Sequence, residues 1–404
     1  MPASWFILCR VVDHYGDAGV CWRLARQLAH EYGFDVTLFI DDTATLQRLV
    51  PTFDVTQNCQ RIDCVTVQRL TDTLPPPAFW PTVIIDAFGG GLPPSWLMVL
   101  ERDFPPSSPS PLERVGERGN YNLIAPHWII LEYLSAEPWI ETMHGLASPP
   151  PSVNIPRHFF FPGFTEATGG LLRERTLLDE RDAFLRSPET RHTFLESLGV
   201  SVPPSDALLV SLFCYDISAL PMLLDTWAAS PSPMVCLIPE NVAPETVQRF
   251  HRADVGATRT THGSLTLHAI PFLPQTDFDR LLWTCDLNFV RGEDSFVRAQ
   301  WAAKPFVWQA YRQEEQAHLT KIDAFLTRYL ADAPDNLKTA LTDFTRAWND
   351  EQQINRIADA WPSLIKQLPA LATHSHHWAQ RQSVQMNLAQ RLVAFCDVFS
   401  KLSP

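Results

Sequence analysis

Apolar residues recur along this chain in two separated series, each alternating with stretches of helical period. WFILCRVV at 5–12 predicts a buried strand, and Val20, Leu24 and Leu28 repeat every four residues, predicting a helix over 20–30. An acidic, glycine-containing turn joins the two. Further strand-like runs follow at 36–40 and 83–85, with a helical stretch at 44–50. Alternation of this kind argues for a parallel sheet covered by helices. After about residue 180 the pattern restarts, with strands predicted at 208–213, 235–238, 287–290 and 306–308 and helices at 276–283 and 295–303. Leu388, Leu392 and Phe395 stand at helical spacing in the tail, predicting a closing helix that returns across a domain boundary.

Two breaks interrupt these series. PPSSPSPLERVGERGN at 105–120 lacks apolar periodicity and reads as a surface loop, and SPPPSVNIP at 148–156 reads as the start of a linker. A chain of 404 residues also exceeds the roughly 250–300 residues at which single cores stop growing. We therefore expect an α/β protein of two Rossmann-like domains, 1–155 and 156–370, with 371–404 crossing back to the first. Ligands are expected in a cleft between the halves, at the carboxyl ends of strands. No solenoid repeat is present.

Hydrophobic residues make up 46% and charged residues 19%, ample material for packed cores. The net charge of −13 argues against a broad grip on nucleic acid. Acidic residues in a cleft would attract a basic group. The eight cysteines form no CxxC pair and read as reduced, mostly buried thiols. The N-terminus has no basic leader region, and no run of about 18 apolar residues exists to span a bilayer. The expected compartment is the cytoplasm, with no membrane and no direct nucleic-acid partner.

The candidate chemistry sits where strands give way to helices. In VVDHYGDAGVCWRLA, Asp13 and Asp17 flank Gly16, and Gly19 precedes the predicted helix. Such glycines allow close backbone approach, and a helix N-terminus offers amides to a pyrophosphate or carboxylate. Asp17 equally suits a helix cap. In FVRGEDSFVRAQ, Arg291, Glu293, Asp294 and Ser295 follow a strand and precede a helix; they fit phosphate and ribose binding, or a cap with a surface ion pair. Phe213, Tyr215, Phe272, Gln275 and Phe278 provide rings to stack on a base, a hydroxyl for a phosphate and an amide to read a base edge. Burial in a core explains any one of those rings as well. Gly89, Gly90 and Gly91 fit a cleft wall or a flexible loop. His374, His376 and His377 form no HExxH motif and read as a solvated segment. GxGxxG, GxSxG and P-loop patterns are absent.

VVDHYGDAGVCWRLARQLA, LEYLSAE at 131–137, FFFPGFTEATGGLLRER at 159–175, PFLPQTDFD and RGEDSFVRAQ together resemble the EarP family, protein-arginine rhamnosyltransferases of bacterial elongation factor P. The 105–120 segment does not resemble that family. The resemblance implies a GT-B glycosyltransferase fold, with the acceptor mostly on the N-terminal domain and the donor, dTDP-β-L-rhamnose, mostly on the C-terminal one. It implies an inverting transfer to an arginine of elongation factor P, which activates that factor to rescue ribosomes stalled at polyproline, with no cofactor and no metal. By motif position it makes Asp17 the base-like aspartate, Asp13 a second essential acid and Glu293 a donor-site residue required for activity. Phe272 would stack on thymine and Gln275 help read it. Tyr215, Asp294 and Ser295 would hold ribose or diphosphate, and Tyr15, Gly16, Gly19, Phe213, Phe278, Arg291 and Gly292 complete the expected donor set. Two other readings stand beside this one: a nucleotide-sugar epimerase of the same architecture, and a non-catalytic protein that senses a dTDP-sugar.

Overall fold

The computed structural model describes residues 2–105, 125–150, 152–251 and 258–402. The chain forms two compact units, one of residues 1–47, 51–172 and 386–404, the other of residues 173–385 with 48–50. The Pro/Ser-rich loop expected at 105–120 lies, but for its first residue, outside the described residues. Among the described residues no helix is long and apolar enough to cross a membrane.

The first unit is built on β1 (Ser4–Cys9), β2 (Asp35–Ile40), β3 (Cys59–Ile62), β4 (Val65–Arg69), β5 (Val83–Ala87), β6 (His127–Leu131), β7 (Ala147–Ser148) and β8 (Arg157–Phe160). Their order across the sheet is β3-β4-β2-β1-β5-β6-β8-β7. β1 pairs in parallel with β2 on one side, Trp5 opposite Val36, and with β5 on the other, Trp5 opposite Val83. The winding therefore reverses between β1 and β5, the place where such sheets bind ligands beyond their carboxyl ends. All five residues of β5 are buried, as expected for a parallel strand covered on both faces. β3 and β4 form an antiparallel hairpin, in which β3 alternates exposed and half-buried residues and β4 places only Val65 and Val67 in the core, too short an apolar series to stand out in the sequence.

The expected linker at 148–156 is corrected by the structure. Ser148 pairs with Arg157 in the β7–β8 ladder, and Val153 and Ile155 are each 2% exposed, packed in one core with Leu8, Ile84, Trp96 and Trp128. The unit boundary falls after Leu172, not at 155, because β8 extends the first sheet. Pro149 and Pro150 follow Ser148 at the end of this edge strand.

The closing helix, Leu388–Leu402, belongs to the first unit, as the tail's periodicity predicts. Its Leu388 amide donates to the Leu171 carbonyl at 2.9 Å, Arg391 donates to the Thr168 carbonyl at 2.9 Å, and the Phe395 ring meets Phe160 edge-on at 5.7 Å. Gly170 has φ 74°, and a Cβ there would stand 2.6 Å from the Met386 carbonyl oxygen, so only glycine fits this contact.

The second unit repeats the plan with β9 (Leu208–Leu212), β10 (Met234–Pro239), β11 (Arg259–His262), β12 (Leu265–Ile270), β13 (Leu287–Arg291) and β14 (Phe306–Gln309), in the order β11-β12-β10-β9-β13-β14. β9 pairs in parallel with β10 and β13, which puts the reversal between β9 and β13. Two doubly wound α/β units and a returning helix constitute the GT-B fold. The histidine run also differs from expectation. It lies on helix Leu368–Ser383, where His376 and His377 are exposed, but His374 is buried with its ring nitrogen 2.7 Å from the Tyr329 carbonyl. That carbonyl supplies the partner a core histidine needs.

Candidate active site

In the first unit, helix His14–Tyr32 begins six residues earlier than the periodicity predicts, so Asp17, Gly16 and Gly19 lie within it and offer no row of free amides. Asp13 occupies the N-cap position without a side-chain capping bond. Asp17 instead reaches back: its Oδ2 accepts the amides of Val12 at 2.8 Å and Asp13 at 2.9 Å, and the Tyr133 hydroxyl stands 3.4 Å away. These bonds satisfy donors at the helix entrance. Asp17 is therefore not the helix cap, a position that Asp13 occupies, although one of its oxygens bonds back to the amides at the helix entrance. Its other oxygen, Oδ1, is buried without a hydrogen-bond partner among the described residues, and the residue is 0% exposed. Burial raises the Asp17 carboxyl above its ordinary range, opposed by the two amides and Tyr133, with Asp41 adding a small upward push.

Asp13 is 8% exposed, and its carboxylate lies against Gly16, where a Cβ would come within 2.6 Å of Oδ2. Any larger residue at 16 would displace it. Tyr15 is half-buried in the first turn of the same helix.

The end of β5 supplies a third carboxylate that the apolar pattern overlooked. Asp86 is 3% exposed, burial raises its carboxyl to about 6, and its Oδ1 accepts the Gly91 amide at 2.9 Å. The signal was a charged residue closing an otherwise apolar strand, VIID. Phe88, two residues on, has φ 59°, a region that costs a bulky residue about 1–3 kcal/mol. Its ring stacks on Tyr133 at 4.4 Å and 16°. Tyr133 lies in the LEYLSAE segment, to which sequence reasoning gave no role.

The remaining expected residues are in the second unit, whereas Tyr15, Gly16 and Gly19 of the expected donor set lie in the first. Arg291 ends β13, and its guanidinium lies 4.5 Å from the centroids of both Phe213 and Tyr215, with Nη1 donating to the Cys214 carbonyl at 3.0 Å. Phe213 is buried and meets Phe278 edge-on at 5.3 Å. Its ring packs against the Arg291 guanidinium.

Helix Asp294–Ala302 has Glu293 as its N-cap residue, without a side-chain capping bond. Neither Asp294 nor Ser295 is the cap; the Ser295 hydroxyl accepts the Arg291 amide at 3.0 Å and donates to the Arg291 carbonyl. Gly292 turns the chain at φ 59°, and Trp308 Nε1 donates to its carbonyl at 2.8 Å. Gln275 begins helix Gln275–Thr284, and its amide donates to Asp294 at 3.3 Å. The two helices are clamped by Arg298, whose guanidinium binds both oxygens of Asp279 at 2.9 and 2.7 Å and Glu174 at 2.6 Å. Phe272 is half-buried in the connection before Gln275.

A cavity of about 870 Å³ opens where β9 and β14 end, lined by Tyr215, Gln309, Tyr311 and Asn349 among others. Of the expected donor residues, Tyr215 is the one in its wall. Contacts thus join Phe213, Tyr215, Phe278, Arg291 and Ser295, Gln309 accepts the amides of both Gly292 and Tyr215, Gln275 pairs with Asp294, and Tyr215 borders the cavity. A concave cavity of this size with a few placed polar groups is the usual form of a ligand site.

Comparison with known proteins follows the same lines. A family model described as Elongation-Factor P (EF-P) rhamnosyltransferase EarP matches residues 5–397. A protein-arginine rhamnosyltransferase of Pseudomonas putida is 42% identical over 98% of this chain and 99% of its own length. One of Pseudomonas aeruginosa is 41% identical over 97% of this chain and 98% of its own. A solved structure, described as Structural basis for EarP-mediated arginine glycosylation of translation elongation factor EF-P, superposes with a TM-score of 0.64 at 32% identity, covering 97% of this chain and 98% of that one.

Proposed function

The chain belongs to the EarP family and is a glycosyltransferase of the protein-arginine rhamnosyltransferase class; from that premise we propose that it transfers rhamnose from dTDP-β-L-rhamnose to an arginine of elongation factor P, with inversion and with Asp17 as base. The observation that carries the assignment of Asp17 is its divided carboxylate: one oxygen held by two backbone amides, the other buried and without a hydrogen-bond partner among the described residues.

A guanidinium is a poor nucleophile, because its lone pairs are delocalised and its pKa exceeds about 12. Asp17 does not remove its proton beforehand. The fixed oxygen keeps the carboxylate in place while Oδ1 accepts an N–H of the arginine fork, and the proton passes to it as the nitrogen bonds to the anomeric carbon. Burial favours this transfer, since a carboxyl with a raised pKa holds the proton better. Asp13, beside Gly16, orients the fork. In the second unit Phe272 stacks on thymine, Gln275 reads it, and Tyr215 and Asp294 hold ribose or diphosphate. The amides at the start of helix Asp294–Ala302, with Arg291 and Ser295, meet the departing negative charge, and Glu293 at the N-cap contacts the donor sugar. This chemistry needs no cofactor or metal. A place in the cytoplasm and a role in relieving polyproline stalls accompany the proposed acceptor.

Intact-mass measurement of elongation factor P after incubation with enzyme and dTDP-rhamnose tests the reading. One added deoxyhexose supports it. An unmodified factor with altered dTDP-sugar would mark an epimerase, and an unmodified factor with unaltered sugar a sensing protein.

A further inference from the structure

We propose that the Phe88–Tyr133 ring pair is a guanidinium platform, on which the planar head of the acceptor arginine lies with its edge toward Asp17. This rests on the arginine-acceptor reading above and adds the element that selects the acceptor side chain. Four features of the loop after β5 point to it.

Phe88 has a left-handed backbone, φ 59°, although nothing in its side chain favours that region. The conformation is enforced from three directions. The Phe88 amide donates to the Leu131 carbonyl at 2.6 Å, the Gly91 amide donates to buried Asp86 at 2.9 Å, and Gly90 backs onto Arg10, where a Cβ would stand 3.0 Å from the Arg10 Cβ. The result is a ring laid flat on Tyr133, centroids 4.4 Å apart, with both rings half-buried. Strain held in place by surrounding bonds is a mark of functional positions.

The pair ends at the catalytic carboxylate, with the Tyr133 hydroxyl 3.4 Å from Asp17 Oδ2. The loop after Phe88 is uncrowded, since a Cβ at Gly89 or Gly91 would meet no heavy atom within 4 Å. Asp17 stands by the Tyr133 hydroxyl, and Asp86, two residues before Phe88, has Arg10 and Arg157 near it as well as Glu132. A planar cation fits an aromatic face beside carboxylates, and a guanidinium stacks there better than the compact, strongly hydrated ammonium of lysine. The platform thereby favours arginine over lysine while leaving one N–H edge to Asp17. Gly89, Gly90 and Gly91 acquire a definite part, as the segment that bends the chain away from the ring face.

The test uses the full-length enzyme with the acceptor protein and dTDP-rhamnose. Phe88→Leu is expected to raise the acceptor KM by about 5- to 30-fold, the range of a desolvated cation–π contact, with the donor KM unchanged and kcat little altered. Phe88→Trp keeps an aromatic face and is expected to hold the acceptor KM within about 2-fold. In competition binding, Phe88→Leu should narrow the preference for the native acceptor over one carrying lysine at the modified position. An unchanged acceptor KM in Phe88→Leu, or an equal rise in Phe88→Trp, overturns the platform while leaving the transferase reading intact. Failure of the unaltered enzyme to modify arginine would overturn the reading beneath it. Should Phe88→Leu not fold, Phe88→Trp and the lysine-bearing acceptor, measured against the unaltered enzyme, still decide the question.

Discussion

Replacing Asp279 by asparagine separates the scaffolding of the donor unit from its chemistry. Arg298 is 2% exposed in its side chain, Asp279 5% and Glu174 26%, and the guanidinium binds Asp279 through two parallel bonds. Asp279→Asn leaves a buried cation with Glu174 as its remaining carboxylate. Removing one partner of a buried pair costs about 3–5 kcal/mol, because the other charge stays buried and loses its better-desolvated counter-ion, Glu174 compensating it only in part. For a unit of this size each kcal/mol lowers the melting temperature by about 2–4 °C, so a fall of about 6–20 °C is expected. Glu174→Gln, at the more solvated end of the same network, should cost about 1 kcal/mol or less. Differential scanning calorimetry of the two variants and the unaltered chain measures both. Asp279 sits on the helix that begins with Gln275, and Arg298 on the helix that follows Glu293, so dTDP affinity should fall with Asp279→Asn and hold with Glu174→Gln. A loss below 1 kcal/mol for Asp279→Asn, or equal effects of the two changes, would show that the clamp does not hold these helices.

Asp17→Asn should abolish transfer and leave dTDP binding nearly intact by titration calorimetry, since its amide oxygen can still accept the Val12 and Asp13 amides; a large loss of nucleotide affinity would put Asp17 in the donor site. Phe272→Ala should weaken dTDP binding by about 1–3 kcal/mol if the ring stacks on the base, and an unchanged affinity would return it to the core. Asp86 has a carboxyl raised from 3.8 to about 6, so its protonated form is favoured in the fold. Its stabilising contribution is complete below pH 3.8 and lost as pH rises to about 6. Chemical denaturation should therefore show Asp86→Asn gaining up to about 3 kcal/mol on the unaltered chain across that window, and a constant difference would contradict it. The folded N-terminal domain of elongation factor P should be a good substrate and a linear peptide of its modified loop a very poor one, because orientation of reactants is worth about 7–11 kcal/mol of barrier; equal turnover would make recognition a local sequence motif.

What the sequence disclosed depended on how strongly each residue type is tied to its setting. Buried parallel strands such as β1, β5 and β10 announce themselves as apolar runs, and Leu388, Leu392 and Phe395 announce the returning helix. Hairpin β3–β4 and edge strand β7 carry mixed residues and were invisible to the same test. Prolines suggested a linker at 148–156, but two apolar residues between them, Val153 and Ile155, outweighed that punctuation by entering the core. The motifs around Asp17 and Glu293 were legible as strand-to-helix junctions, and their family resemblance agrees with the comparisons. Helix starts were read too late or assigned to the wrong residue, since Asp17 and Ser295 act by bonding backward along the chain. Asp86, Phe88 and Tyr133 could not be joined by inspection, because their association depends on β5 and β6 lying side by side.

The most direct test of the account is the anomeric configuration and location of the transferred sugar. Tandem mass spectrometry of the modified factor should place one deoxyhexose on an arginine side chain, and nuclear magnetic resonance of that glycopeptide should show the α-anomer, the product of a single in-line displacement on the β-linked donor. A β-linked product, or a sugar on any other residue, would contradict an inverting attack by a guanidinium nitrogen assisted by Asp17.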